Sequence, residues 1–165
     1  MLEWLDHIGR LLADTPLSAM AHELLLHSIW LAPGLQSVHI LSVAVIIGAA
    51  GAINLRLLGV VARDETPARL IRRLVPFVWG ALVVMLLTGS VFILNRPHRY
   101  FDNWSFLTKV VLILVAIAFT LGMQQAARRN PSFGVVPGAA SRTVAGLALL
   151  VWTGIIFAGR WIAYA

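Results

Sequence analysis

Five histidines, His7, His22, His27, His39 and His98, are the residues of this chain best suited to metal or haem chemistry. The segment His22-Glu23-Leu24-Leu25-Leu26-His27 comes within one residue of the zinc-protease helix signature, in which two histidines four apart face one ion. Here they are five apart, a rotation of about 140° at 3.6 residues per turn, so a regular helix cannot present both to one metal. Protease chemistry is excluded. Glu23 and His27 are four apart and share a face, where a carboxylate–imidazole hydrogen bond is expected. Copper(I) prefers soft ligands, and Met20 beside His22 is the nearby thioether. His22, His27 and His39 are therefore the candidate metal ligands. The chain has no cysteine, which removes disulfides, thiolate metal sites and iron–sulfur clusters.

These residues are positioned by four apolar runs, roughly 35–62, 74–94, 104–127 and 143–165. Each is long enough to cross about 30 Å of hydrocarbon, which takes about 20 helical residues. Leu74 to Leu94 carries no charge, whereas a soluble helix of that length shows a polar stripe. The composition agrees: 59% of residues are hydrophobic and 12% charged, against about 25% charged in soluble domains. Mean hydropathy is +0.85. The expected fold is all-α, an integral membrane four-helix bundle (35–165) with an N-terminal amphipathic interfacial segment (1–34). Four spans leave no room for a separate catalytic module. The amino terminus lacks the basic start of a cleavable signal, since Glu3 and Asp6 stand there.

The charges set an expected orientation. Arg56, Arg63, Arg69, Arg72 and Arg73 follow the first run, and Arg128, Arg129 and Arg142 follow the third. Arg10, Arg96, Arg99, Lys109 and Arg160 lie on the opposite side. The split is eight against five, and the whole +6 net charge falls on the first side. Positive residues stay inside, so the first and third connections are expected in the cytoplasm and both termini on the outer face. The high pI is thus a topology signal, and no nucleic-acid partner is implied. All five histidines then fall on or near the outer face.

In the first 34 residues, Leu2, Leu5, Ile8 and Leu12 form one helical stripe with Glu3, His7 and Arg10 away from it, as in an interfacial helix. Asp14-Thr15-Pro16 starts a second helix, a capping side chain followed by proline at the first position. It is expected to reach about Leu31 and to stop before Pro33-Gly34. Lying in the outer leaflet is the favoured reading of this segment, and a tilted fifth span is the alternative.

His39 alone among the histidines lies inside a span, in its first or second turn. An ionisable residue there is a functional candidate, set against the plain alternative of snorkelling to the interface. Lys109, Arg160, Arg96 and Arg99 approach the same face. Basic side chains beside a histidine suit haem propionates or a quinone carbonyl, although Arg96 and Arg99 also read as headgroup anchors. Arg160 and Tyr164 are four apart, and Trp161 and Tyr100 suit the aromatic belt. For haem b, His39 would be one axial ligand with His98 or His27 as the second, and Lys109 and Arg160 beside them. Gly48-Ala49-Ala50-Gly51 follows no strand and lacks a lysine, so it is no phosphate loop. Ala44, Gly48 and Ala52, and likewise Gly154 and Ala158, are spaced four apart and form strips where another helix can approach closely.

From Ser18 onward the chain resembles a bacterial family of small, uncharacterised four-span membrane proteins. The resemblance rests on Ser28-Ile29-Trp30, His39, Asn54-Leu55-Arg56-Leu57-Leu58-Gly59, Trp79 and Thr88-Gly89. It continues through Tyr100, Asn103, Phe106, Lys109 and Trp152 to Gly159-Arg160-Trp161-Ile162-Ala163-Tyr164. The family looks distantly similar to copper-resistance D-type membrane proteins and to small b-type cytochromes. Its members typically have aspartate at the place of Asn54, and often a histidine near Met123-Gln124-Gln125. The motif residues singled out by the resemblance are Asn54, Arg56 and Gly59.

The favoured expectation is a non-catalytic or accessory membrane subunit, associating with other subunits or with itself, in periplasmic redox or copper metabolism. The alternative is a b-type cytochrome exchanging electrons with quinone. A copper or small-solute permease comes third, because the middle of runs two to four offers little polar beyond Thr88, Ser90 and Thr120.

Overall fold

The computed structural model describes residues 2–62, 64–101, 103–130, 132–135 and 138–162, with the side chains of 2–6 and 98 outside that description. The described residues form seven helices: α1 (Leu2–Ala13), α2 (Pro16–His27), α3 (Leu31–Leu57), α4 (Pro67–Asn95), α5 (Pro97–Phe101), α6 (Trp104–Arg129) and α7 (Ala139–Trp161). Among the described residues there is no strand. Four of the helices, α3, α4, α6 and α7, are long and apolar enough to cross a membrane. This is a multi-pass, all-α membrane protein.

The spans pack as a ring. α3 lies against α4, α4 against α6, α6 against α7, and α7 closes back on α3. α3 and α6 are thus diagonal partners across the core. Each span turns one stripe inward: Ile46, Ala49 and Ile53 on α3, Val75, Val78, Leu82 and Met85 on α4, Ile113, Ala116 and Met123 on α6, and Ala145, Ala148, Trp152 and Ile155 on α7. The spacings of three and four are those of a helical face. The opposite faces carry exposed Leu, Val, Ile and Phe, which water would not tolerate in such number and lipid does. Trp30, Trp104 and Trp161 are exposed at one end of the bundle, the aromatic girdle of a membrane interface.

Several expectations need correction. α3 begins at Leu31, so Pro33 and Gly34 lie in its first turn rather than ending α2. Proline is tolerated there because the first-turn N–H groups have no intrahelical acceptor. α2 stops at His27. At 1.5 Å per residue its 12 residues reach about 18 Å, too short for a fifth span. Its start is as expected, with Thr15 capping Ser18 N and Pro16 at the first position. Ser18 Oγ donates to Leu94 O at 2.8 Å, which ties α2 to the end of α4. Arg69, Arg72 and Arg73 belong to α4 rather than to a loop. In the strip Ala44, Gly48, Ala52, no helix of this chain covers Ala44 or Gly48: both are exposed, and a Cβ at Gly48 would meet nothing within 4 Å. They sit about 200° around α3 from the Ile46 stripe that takes the contact. In α7, by contrast, a Cβ at Gly154 would lie 3.2 Å from Leu112 Cδ1 of α6.

Candidate functional site

The inward stripes of all four spans end, at the aromatic end of the bundle, in one polar layer. Counting up α3, the stripe Ile53–Ala49–Ile46–Ser42 leads to His39. On α4, Leu82 and Met85 lead to Thr88. On α6, Ile113 leads four residues back to Lys109, and on α7 Ile155 leads four residues on to Gly159. His39 and Lys109 therefore come from diagonal helices and share the core's last layer. Each leans on one of the other two spans.

His39 Nδ1 lies 2.9 Å from Thr88 Oγ1. The Thr88 hydroxyl carries one proton, which it donates to Val84 O at 2.8 Å and shares with Met85 O at 3.1 Å. Its oxygen is consequently the acceptor, and Nδ1 carries the hydrogen. In that arrangement a neutral His39 presents an unprotonated Nε2. The ring lies beside Gly89, where a Cβ would stand 3.4 Å from His39 Cε1. Replacing Thr88 with valine keeps the shape and removes the acceptor, stranding a half-buried N–H. The expected cost is about 1 kcal/mol, read as a melting temperature lower by about 3 °C in detergent. An unchanged melting temperature would mean that His39 does not depend on this bond.

Lys109 is seated by a second glycine. A Cβ at Gly159 would lie 3.3 Å from Lys109 Nζ, 3.5 Å from Cε and 3.7 Å from Cδ, so the stem runs along bare α7 backbone. Its ammonium is within electrostatic range of His39. Among the described residues the Lys109 side chain makes no hydrogen bond and no ion pair. Its three donors, half-buried at the end of the bundle, are available to a ligand. Beside this layer, Tyr100 makes an edge-on contact with Phe106 at 5.5 Å. Burial pushes its phenol above the usual range, against the pull of the Arg99 and Arg96 charges.

The other candidates lie elsewhere. His39 is in the third turn of α3, deeper than expected, because the helix starts at Leu31. His22 is exposed and turns Nδ1 to Asn95 Oδ1 at 2.8 Å, and His27 is exposed at the end of α2. The expected Glu23–His27 hydrogen bond is not formed. Among the described residues no group of three or more His, Asp or Glu could hold a metal ion. Arg160 is exposed one residue past Gly159. The side chain of His98, and Tyr164 with its expected pairing to Arg160, lie outside the described residues.

The Asn54–Gly59 motif lies at the other end, about 22 Å along α3 from His39. Gly59, at φ +81°, closes α3 in a Schellman turn: its N–H bonds Arg56 O at 3.0 Å, and Val60 N bonds Leu55 O at 2.9 Å. Arg56 is buried and donates through Nε to Glu65 O at 2.7 Å, while Glu65 pairs with Arg73 at 3.0 Å. The motif therefore ties α3 to the start of α4. Asn54 is fully buried and donates to Ala50 O at 2.8 Å. Its Oδ1, like Trp152 Nε1, has no partner among the described residues.

Residues 27–165 match the model of a family of unknown function, DUF6644. The chain belongs to that family. No curated protein and no solved structure matches it. The DUF6644 region takes in all four spans, and with them His39, Thr88, Gly89, Lys109 and Gly159, but leaves out α1 and all of α2 except His27. The polar layer is thus built entirely within the family region, and the contacts of Ser18 and His22 are additions to it.

Two relationships in this layer escaped sequence reasoning. His39, Lys109, Thr88-Gly89 and Gly159 each drew notice, but not the pairing of His39 with Thr88 or the seating of Lys109 on Gly159. The available signal was that each residue continues its helix's apolar stripe by one more step.

Proposed function

We propose that this DUF6644 chain is an accessory membrane subunit that holds the polar head of a quinone-class ligand in the layer formed by His39, Thr88, Lys109 and Gly159. The observation that carries this reading is Lys109: an ammonium seated on Gly159, within electrostatic range of His39, with no acceptor of its own among the described residues. The layer offers N–H donors at Lys109 and a lone pair at His39 Nε2. A carboxylate would answer the first and leave the second unused. A quinol answers both, one oxygen accepting from Lys109 and one hydroxyl donating to His39. The exposed apolar faces of the spans suit both the ligand's isoprenoid tail and contact with other subunits. The charge bias supports the further reading that this end faces the periplasm of a bacterial inner membrane, which an active phosphatase fused after Ala165 would report.

The test is solvent extraction of protein purified in mild detergent, with quinone quantified against protein. Near-stoichiometric quinone in the wild type and background levels in His39→Ala are expected. Equal background levels in both would overturn the reading. One observation favours a second reading, a b-type haem on His39. The ring is oriented by an Nδ1–H bond to Thr88, as ligating histidines are oriented by their other nitrogen. A Soret band and a sharp reduced α-band in the same sample would put haem first, and a featureless spectrum from haem-replete cells would remove it.

A further inference from the structure

At the arginine-rich end, an open groove of about 850 Å³ runs along α6 and the start of α7. Val115, Ala118, Gly122 and Ala126 form its length on α6, with Val144 of α7 opposite and Phe133 near its base. The α6 residues are three and four apart, one continuous stripe of small or short apolar side chains. From Val115 to Asn130 the groove extends about 22 Å, somewhat more than the roughly 15 Å of hydrocarbon in one leaflet.

Three arginines flank its polar end. Arg129 precedes the lining residue Asn130, Arg142 follows the lining residue Ser141, and Arg128 lies beside them. All three are exposed, and none of their side chains makes a hydrogen bond or ion pair among the described residues. No acidic residue occurs anywhere from Asn103 to Ala165. Arg128 and Arg129 are in the last turn of α6, where the helix dipole favours cations. Arg142 has no such excuse: it lies in the first turn of α7, the end at which the dipole disfavours a positive charge.

We propose that this groove is a lipid site, holding one acyl chain of an anionic phospholipid with its phosphate among Arg128, Arg129 and Arg142. The length, the apolar lining and the uncompensated charge at one mouth fit that molecule together. A second copy of the chain is a poorer occupant, because a symmetric contact through this face would bring two sets of three arginines together. Basic pockets between spans on the cytoplasmic side recognise anionic headgroups on the same physical basis.

The full-length protein is reconstituted in vesicles of equimolar phosphatidylcholine and phosphatidylglycerol and re-extracted, and the retained lipid is measured by mass spectrometry. Phosphatidylglycerol is expected well above its share of the vesicle. Each arginine changed to glutamine should cut that enrichment roughly fivefold, and the triple variant should abolish it. Gly122→Leu supplies a second route. A Cβ there meets nothing within 4 Å, so the leucine fills the groove without a clash and should lower retention of both lipids. Unenriched wild type, or enrichment that neither variant changes, overturns the proposal. So does a Gly122→Leu variant that loses only self-association, which would give the groove to a second copy. Quinone content reports on the opposite end and separates failure there from failure here.

Discussion

Gly134→Val should lower the melting temperature of the detergent-purified protein by about 10 °C. Gly134 sits in the connection between α6 and α7 at φ +70°, a conformation costing a residue with a Cβ about 1–2 kcal/mol and a β-branched one more. The space is also taken. A Cβ would stand 2.8 Å from Leu57 Cδ2 and 3.1 Å from Pro67 Cγ. Leu57 ends α3 and Pro67 begins α4, and both are buried, so neither can retreat without disturbing the tightest helix pair in the bundle. Overpacking of this kind adds roughly 1–3 kcal/mol, and for a chain of this size each kcal/mol is worth about 2–4 °C. Gly138→Ala is the control, because no atom lies within 4 Å of a Cβ there and its φ of −73° is ordinary. Gly138 is also the N-cap of α7, where alanine costs about 0.5–1 kcal/mol more than glycine, so the control's melting temperature should fall by only about 2–3 °C. If Gly134→Val fell no further than that, the connection would not be packed against the α3–α4 junction.

Gly134 drew no notice in the sequence, and the reason separates what was legible from what was not. Runs of apolar residues announced the four spans, because crossing a bilayer demands length and hydrophobicity that few other structures need. Helix starts at Thr15-Pro16 were legible because capping is local chemistry. The start of α3 was not, since Pro33-Gly34 breaks a helix at most positions and is tolerated only in the first turn. His39 and Lys109 were visible as ionisable groups within apolar runs. Their convergence was hidden, because periodicity says which face of a helix turns inward and nothing about which helix it meets. The ring order α3–α4–α6–α7 supplies that missing relation. The strip Ala44–Gly48–Ala52 shows the same limit: spacing marks a flat face, and only packing reveals which helix of the chain, if any, lies on it. Gly59 was legible as part of a motif, but its role is a Schellman turn, a backbone requirement rather than a chemical one.

Lys109→Met should make the protein more stable while emptying it of ligand. Methionine keeps the length and flexibility of the stem along Gly159 and removes a cation that has no acceptor within the described bundle. A half-buried charge without a protein partner is partly desolvated at a cost, and replacing it by an apolar side chain of similar volume recovers part of that cost. A rise of about 3 °C in melting temperature is expected, with quinone in the extract falling to the His39→Ala background. A structural anchor behaves in the opposite way, losing stability and keeping whatever is bound. Gly159→Ala refines the test. The added methyl would stand 3.3 Å from Nζ, and a flexible side chain can yield by a few tenths of an ångström at little cost to the fold. The ammonium then shifts relative to His39, so binding should weaken several-fold with the melting temperature unchanged. If Lys109→Met destabilised the protein and Gly159→Ala left the ligand untouched, the ammonium would be a tether to lipid headgroups, and the polar layer would have to hold its ligand through His39 alone.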